Sequence, residues 1–184
     1  MLKIMAVDRP LLKVVLSGVL FFALVCFVNW GARYEKPVWD TVGGVFSPAI
    51  YLYETGFDFR SLLSEDGFPQ AGPNVHVFTP ITPVTAAVMW IFEGNNEGLY
   101  LILHLIQFVL TGLLLSILFW FCKPSFGLFA SLGIVLATFF FPPFLVQSRY
   151  MYMEVGGSLF VLLAYAGWVR GQYRLASVSV VVAC

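Results

Sequence analysis

Few side chains in this sequence could carry chemistry, and they are scattered. Asp40 sits in Val38-Trp-Asp40-Thr, about nine residues beyond the end of the first long apolar run. A carboxylate beside aromatic residues just above a bilayer loses part of its hydration and can act as a general base. The same residue also reads as a solvated loop acid or a helix cap. Arg149 and Glu154 fall close together in Gln147-Ser-Arg-Tyr-Met-Tyr-Met-Glu154, between two further apolar runs. Ionisable groups at that depth are costly, so they pair or they function. A planar guanidinium there could also hold a phosphate in bidentate fashion. His76, in Pro-Asn-Val-His76, could meet substrate or metal from the aqueous side. His104, Gln107 and Thr111 recur at helical spacing and read as an interhelical hydrogen-bonding stripe. No Cys/His cluster, nucleophile elbow, phosphate loop or dinucleotide fingerprint occurs.

The elements that must position these groups are set by composition. Of the 184 residues, 60% are hydrophobic and only 11% charged, at a formal net charge of +0; the mean hydropathy is +0.88. A globular domain is about 45–50% apolar and about 25% charged, and a small chain cannot hide such an excess in its own core. The surplus has to face lipid. A soluble domain, a disordered tail and a nucleic-acid partner are excluded by the same figures, since no basic block exists. Cys26, Cys122 and Cys184 lie within apolar runs and build neither a disulfide framework nor a metal spacing.

A hydrocarbon core about 30 Å thick takes roughly 20 apolar helical residues. Residues 14–31 supply the first span, an uncleaved signal anchor behind a cytoplasmic N-terminus of residues 1–13. Gly98–Cys122 and Pro124–Ser148 supply the next two, with Lys123-Pro124 predicted as the tight turn between them. A fourth runs from about Tyr150 to Val169, and a fifth begins at Leu175 and is still apolar at Cys184. An apolar helix ending inside lipid leaves carbonyls unsatisfied. The reading is therefore that residues 98–184 hold transmembrane helices 2 to 5, the last incomplete, and that the chain continues in a longer protein; the alternative is a short interfacial helix. Val77–Phe92 is rejected as a span because Pro80 and Pro83 leave about ten helical residues.

Lys3, Arg9, Lys13, Lys123, Arg170 and Arg174 fall in the N-terminus and the two short turns, whereas eight carboxylates crowd residues 32–97. The positive-inside rule then makes this a multi-pass integral protein of an inner or plasma membrane, with a cytoplasmic N-terminus and residues 32–97 outside. Within that outer loop, Ser47-Pro48 and Thr82-Pro83 each read as an N-cap followed by proline in the first turn, with Gly56 and Gly94 as stops. Two short aromatic helices in the headgroup plane are expected. The predicted fold class is an all-α polytopic membrane protein: a bundle of about four to five transmembrane helices, with a long outer loop carrying two juxtamembrane helices.

This layout resembles the start of the membrane glycosyltransferases of the glycosyltransferase C superfamily, such as the protein O-mannosyltransferases and the lipid A aminoarabinose transferases. Val38-Trp-Asp40-Thr resembles their first acidic motif, although Thr41 stands where the family often has Glu. Phe78-Thr-Pro-Ile-Thr-Pro-Val84 resembles the segment leading into their second juxtamembrane helix. Leu136-Ala-Thr-Phe-Phe-Phe-Pro-Pro-Phe-Leu-Val-Gln-Ser-Arg149, followed by Met-Glu-Val155, resembles the exit of the third helix and the second acidic motif, with Glu154 in place of the usual Asp. The resemblance covers the whole chain but only the N-terminal part of the family's length. It implies inverting transfer of a sugar from a polyprenyl-phosphate donor to an acceptor on the outer face. It also implies Asp40 as base, Arg149 or a later residue at the departing lipid phosphate, and Glu154 positioning the acceptor or assisting a divalent metal. Membrane lipid and the lipid-linked donor are the expected partners. The rival expectations are a non-enzymatic scaffold or assembly subunit that binds a partner through its outer loop and, last, a transporter. A transferase further requires Asp40 and Glu154 to approach each other in one outward-facing cavity lined by Arg149.

Overall fold

The computed structural model describes residues 9–36, 46–58, 81–93, 95–150 and 153–183. Among these every regular element is helical. Helix α1 is Arg9–Asn29, closed by a 3-10 turn over Trp30–Ala32. Two short helices follow, α2 (Ser47–Glu54) and α3 (Ile81–Ile91). Helix α4 is Asn96–Phe140, α5 is Pro142–Arg149, α6 is Met153–Val169 and α7 is Tyr173–Ala183. Two segments, Leu12–Ala32 and Glu97–Phe140, have the length and composition to cross a membrane. The first, at 21 residues, spans about 30 Å at 1.5 Å per residue, which is the thickness of a hydrocarbon core.

Helix α4 is not one rod. Gly127 has φ 77° and ψ −178°, far from helical values, and only glycine takes that conformation without strain. The chain folds back there into an antiparallel hairpin. Phe108, Leu115 and Phe119 of the first arm share one buried cluster with Val135 and Phe139 of the second. The expected turn at Lys123-Pro124 is thus corrected: Pro124 stays within the helical run and the reversal comes three residues later. A proline in a last turn removes one hydrogen bond but cannot by itself reverse a chain, whereas a positive-φ glycine can. The predicted run to Ser148 is also divided. Phe141 is extended (φ −62°, ψ 122°) because two prolines follow it, and α5 begins anew at Pro142.

Helix α1 lies along the hairpin with Phe21 and Val25 against Phe108, Leu115 and Phe119. Gly112 makes that approach possible, since a side chain there would begin 2.8 Å from the backbone nitrogen of Phe22. Helix α6 packs Val155 and Leu159 on Leu114, and α7 returns along α6 after a turn at Gly171. The elements therefore run alternately up and down. Burial is arranged as a membrane protein arranges it, with polar groups turned inward and apolar ones outward. Ser116, Ser148 and Gln107 are buried, whereas Phe27 and Phe129 are each 85% exposed. Soluble monomers rarely expose so broad an apolar exterior, and it suits a lipid surface.

Helices α2 and α3 pair through Ala49, Leu52 and Ala86 and rest on the start of α4 through Phe46, Val88, Leu99 and Leu103. The capping expectation is corrected in detail. Ser47 is the first helical residue rather than the cap, Phe46 precedes it in helical geometry, and no side chain caps that end. Thr82 likewise lies inside α3, which starts at Ile81. The two helices meet through polar groups as well, where the Tyr53 hydroxyl bonds the Glu93 carboxylate and its pKa is pushed above the usual phenol value.

Candidate functional site

Reversal at Gly127 brings the end of α1, the start of α4, and α5 to one end of the bundle. Asn29, 4% exposed, closes α1 there and donates from Nδ2 to Ser148 Oγ at 3.2 Å. Ser148 in turn donates to the carbonyl of Leu145 at 2.8 Å. Gln107 Nε2 donates to the carbonyl of Gln147 at 2.9 Å, a pair symmetric about Gly127. These buried bonds hold α5 against α1 and α4, and so fix where Arg149 emerges.

Arg149 closes α5, and its guanidinium forms an ion pair with Glu35. Glu35 belongs to the turn after α1, and its backbone amide donates to the carbonyl of Ala32 at 2.8 Å. Partial desolvation raises the pKa of Glu35, but hydrogen bonds from Tyr150 and Arg149 and the arginine charge outweigh it. The carboxyl is held below its ordinary value. The Arg149 side chain remains 44% exposed and that of Glu35 33%, so the pair borders solvent. The guanidinium also lies 5.7 Å from the Tyr150 ring centroid.

Behind this pair, His104 is 4% exposed and close enough to feel the charges of both Glu35 and Arg149. Its Nδ1 lies 2.8 Å from the carbonyl of Tyr100, an acceptor only, so Nδ1 carries the proton. The buried Nε2 has no hydrogen-bond partner among the described residues. An unpartnered buried nitrogen is costly and calls for an explanation. The expected interhelical stripe is thereby corrected in part. Gln107 bonds across the hairpin, whereas Thr111 donates to the carbonyl of Gln107 on its own helix at 2.8 Å.

Glu35, Arg149, Tyr150 and His104 thus form a polar cluster where the helices end. Neighbouring Arg33 lies 4.7 Å and 4.6 Å from the ring centroids of Trp30 and Tyr34. Of the candidate catalytic and binding residues read from sequence, Arg149 is the one the described residues place here, joined by His104 from the hydrogen-bonding stripe. Asp40 and His76 lie outside the described residues, and Glu154 occupies the first turn of α6 with its side chain outside them as well. The approach of Asp40 to Glu154 is therefore left unmeasured. Glu35 escaped sequence reasoning because it is one of eight loop acids. Its only signal is position, as the first carboxylate after the first apolar run. Among the described residues no three of His, Cys, Asp and Glu gather to hold a metal ion. Compared with protein families, curated proteins and solved structures, the chain has no match.

Proposed function

We propose that this chain is a multi-pass membrane protein acting at the outer membrane face, as the N-terminal part of an inverting glycosyltransferase that uses a polyprenyl-phosphate sugar donor. The observation that carries the reading is the half-exposed Arg149 among Glu35, Tyr150 and His104, whose Nε2 has no partner among the described residues, at the carboxylate-rich end of the bundle. Five spans follow if both arms of α4, together with α6 and α7, cross with α1, and four if the short α7 does not; the segregation of charge supports a cytoplasmic N-terminus.

In this reaction the acceptor hydroxyl oxygen attacks the anomeric carbon from the face opposite the donor. The bond from that carbon to the phosphate oxygen breaks, polyprenyl phosphate leaves, and Asp40 takes the hydroxyl proton. Arg149 meets the charge gathering on the phosphate. Its present partner is no obstacle, since solvent-exposed ion pairs are worth about 0–1 kcal/mol, and a phosphate can replace the carboxylate. Glu154 positions the acceptor, and His76 contacts substrate from the aqueous side.

Asp40→Asn is expected to abolish sugar transfer by membranes containing the complete protein while its membrane level stays unchanged. Turnover at the original rate would remove Asp40 as the base. The second reading, a non-enzymatic scaffold, draws on one observation: Arg149 already has a carboxylate partner. On that reading Arg149→Ala weakens folding or partner capture, and no transfer exists to be lost.

A further inference from the structure

At the opposite end of the bundle a cavity of about 380 Å³ opens between α1, the first arm of α4, α6 and α7. Its rim carries Lys13 and Arg170, and its walls include Trp120, Phe121, Leu163 and Leu175. Charge is segregated along the bundle. The described carboxylates Glu35, Glu54, Asp58, Glu93 and Glu97 lie in the turn after α1, in or just after α2 and α3, or at the start of α4, and Glu154 lies in the first turn of α6. No described carboxylate stands near the cavity, and neither rim cation has an ion-pair partner among the described residues. The wall itself is held by polar contacts that leave those cations uninvolved. Trp120 Nε1 donates to Ser17 Oγ at 2.8 Å, and Ser116 Oγ donates to the carbonyl of Val14 at 2.9 Å. Lys123 lies 4.2 Å from the Trp120 ring centroid, outside the cavity rim.

We propose that this cavity binds an anionic phospholipid, with Lys13 and Arg170 on the phosphate group and the acyl chains against Phe121, Leu163 and Leu175. Two observations and one general tendency favour a lipid over a free anion. Lys13 stands at the start of α1's apolar stretch, which is headgroup level. Apart from the two cations and Gln172, the lining is hydrocarbon and aromatic, which suits acyl chains better than a small hydrated anion. Long basic side chains at helix ends also reach headgroups without burying their charge. The proposal rests on the membrane reading but not on sugar transfer, and its test reads no transfer.

The purified full chain is reconstituted in vesicles of phosphatidylcholine alone or with phosphatidylglycerol, and bound lipid is counted by native mass spectrometry. With two cations engaged, roughly a tenfold or greater preference for phosphatidylglycerol is expected, and it should fall to near unity in Lys13→Gln/Arg170→Gln. Lys36→Gln, at the other end, should leave the preference intact. Equal retention of both lipids by the wild-type chain would overturn the proposal, even if the double variant fails to fold. Displacement of the lipid by millimolar inorganic phosphate would also overturn it, because the site would then be one for a free anion.

Discussion

The ion pair between Glu35 and Arg149 joins residues 114 positions apart, with Tyr150 and His104 beside it. Because Glu35 is held below its ordinary value of 4.5, the carboxylate form is favoured by the fold, and linkage gives the sign. The stabilisation is fully present above pH 4.5 and is lost as the pH falls through the lowered folded value. Thermal unfolding in detergent should therefore show the wild-type protein ahead of Glu35→Gln by a constant margin at neutral pH. The margin should shrink in the acid range below 4.5, and a pH-independent gap would mean that the pair contributes through packing alone. At this scale the sequence was least informative. Arg149 stood out because it interrupts an apolar stretch, but nothing in the composition or spacing separates Glu35 from Glu54 or Glu65. What distinguishes it is the path of the chain after Asn29, which local residue preferences do not encode.

Among the helices, the contact of α1 with α4 turns on one missing side chain. A Cβ at Gly112 would meet the Phe22 backbone nitrogen at 2.8 Å, whereas one at Gly133 would meet nothing within 4 Å. Backbone cannot swing aside as a side-chain tip can. Gly112→Val should cost about 1–3 kcal/mol or more by overpacking, seen as a lower unfolding temperature in detergent. Gly133→Ala should leave stability unchanged or raise it slightly, since glycine inside a helix costs about 0.5–1 kcal/mol relative to alanine. Equal effects at the two positions would contradict the close approach. Helix positions were largely legible from apolar runs: α1, α6 and α7 fall within a few residues of expectation. The breaks were not. Proline at 124 looked like the reversal point, yet the backbone turns at Gly127. An internal proline can be tolerated near a helix end, and which glycine adopts a positive φ depends on where the two arms find their best packing.

Viewed whole, the bundle has a basic end and a carboxylate-rich end, joined by walls with many exposed apolar side chains. If residues 32–97 and the turn between α6 and α7 lie on opposite sides, single cysteines should report it. Glu54→Cys in whole cells should react with a membrane-impermeant maleimide, and Arg174→Cys should react only after the membrane is opened. Protection of Glu54→Cys together with labelling of Arg174→Cys would invert the orientation and remove the outer-face reading. The two charge clusters also divide the chemistry. One end presents a guanidinium already held by a carboxylate, and the other presents cations with nothing described to balance them.

Hydropathy, the spacing of apolar runs and the distribution of lysine and arginine determined that this chain is helical and suited to lipid, because burial in hydrocarbon acts on composition over whole segments. Those averages carry no information about which side chains meet. The pairing of Glu35 with Arg149, the isolation of His104 Nε2, the reversal at Gly127 and the cavity under Lys13 and Arg170 were decided only by tertiary structure. Each depends on the register in which one helix packs against another, and that register is set by contacts between residues remote in the chain.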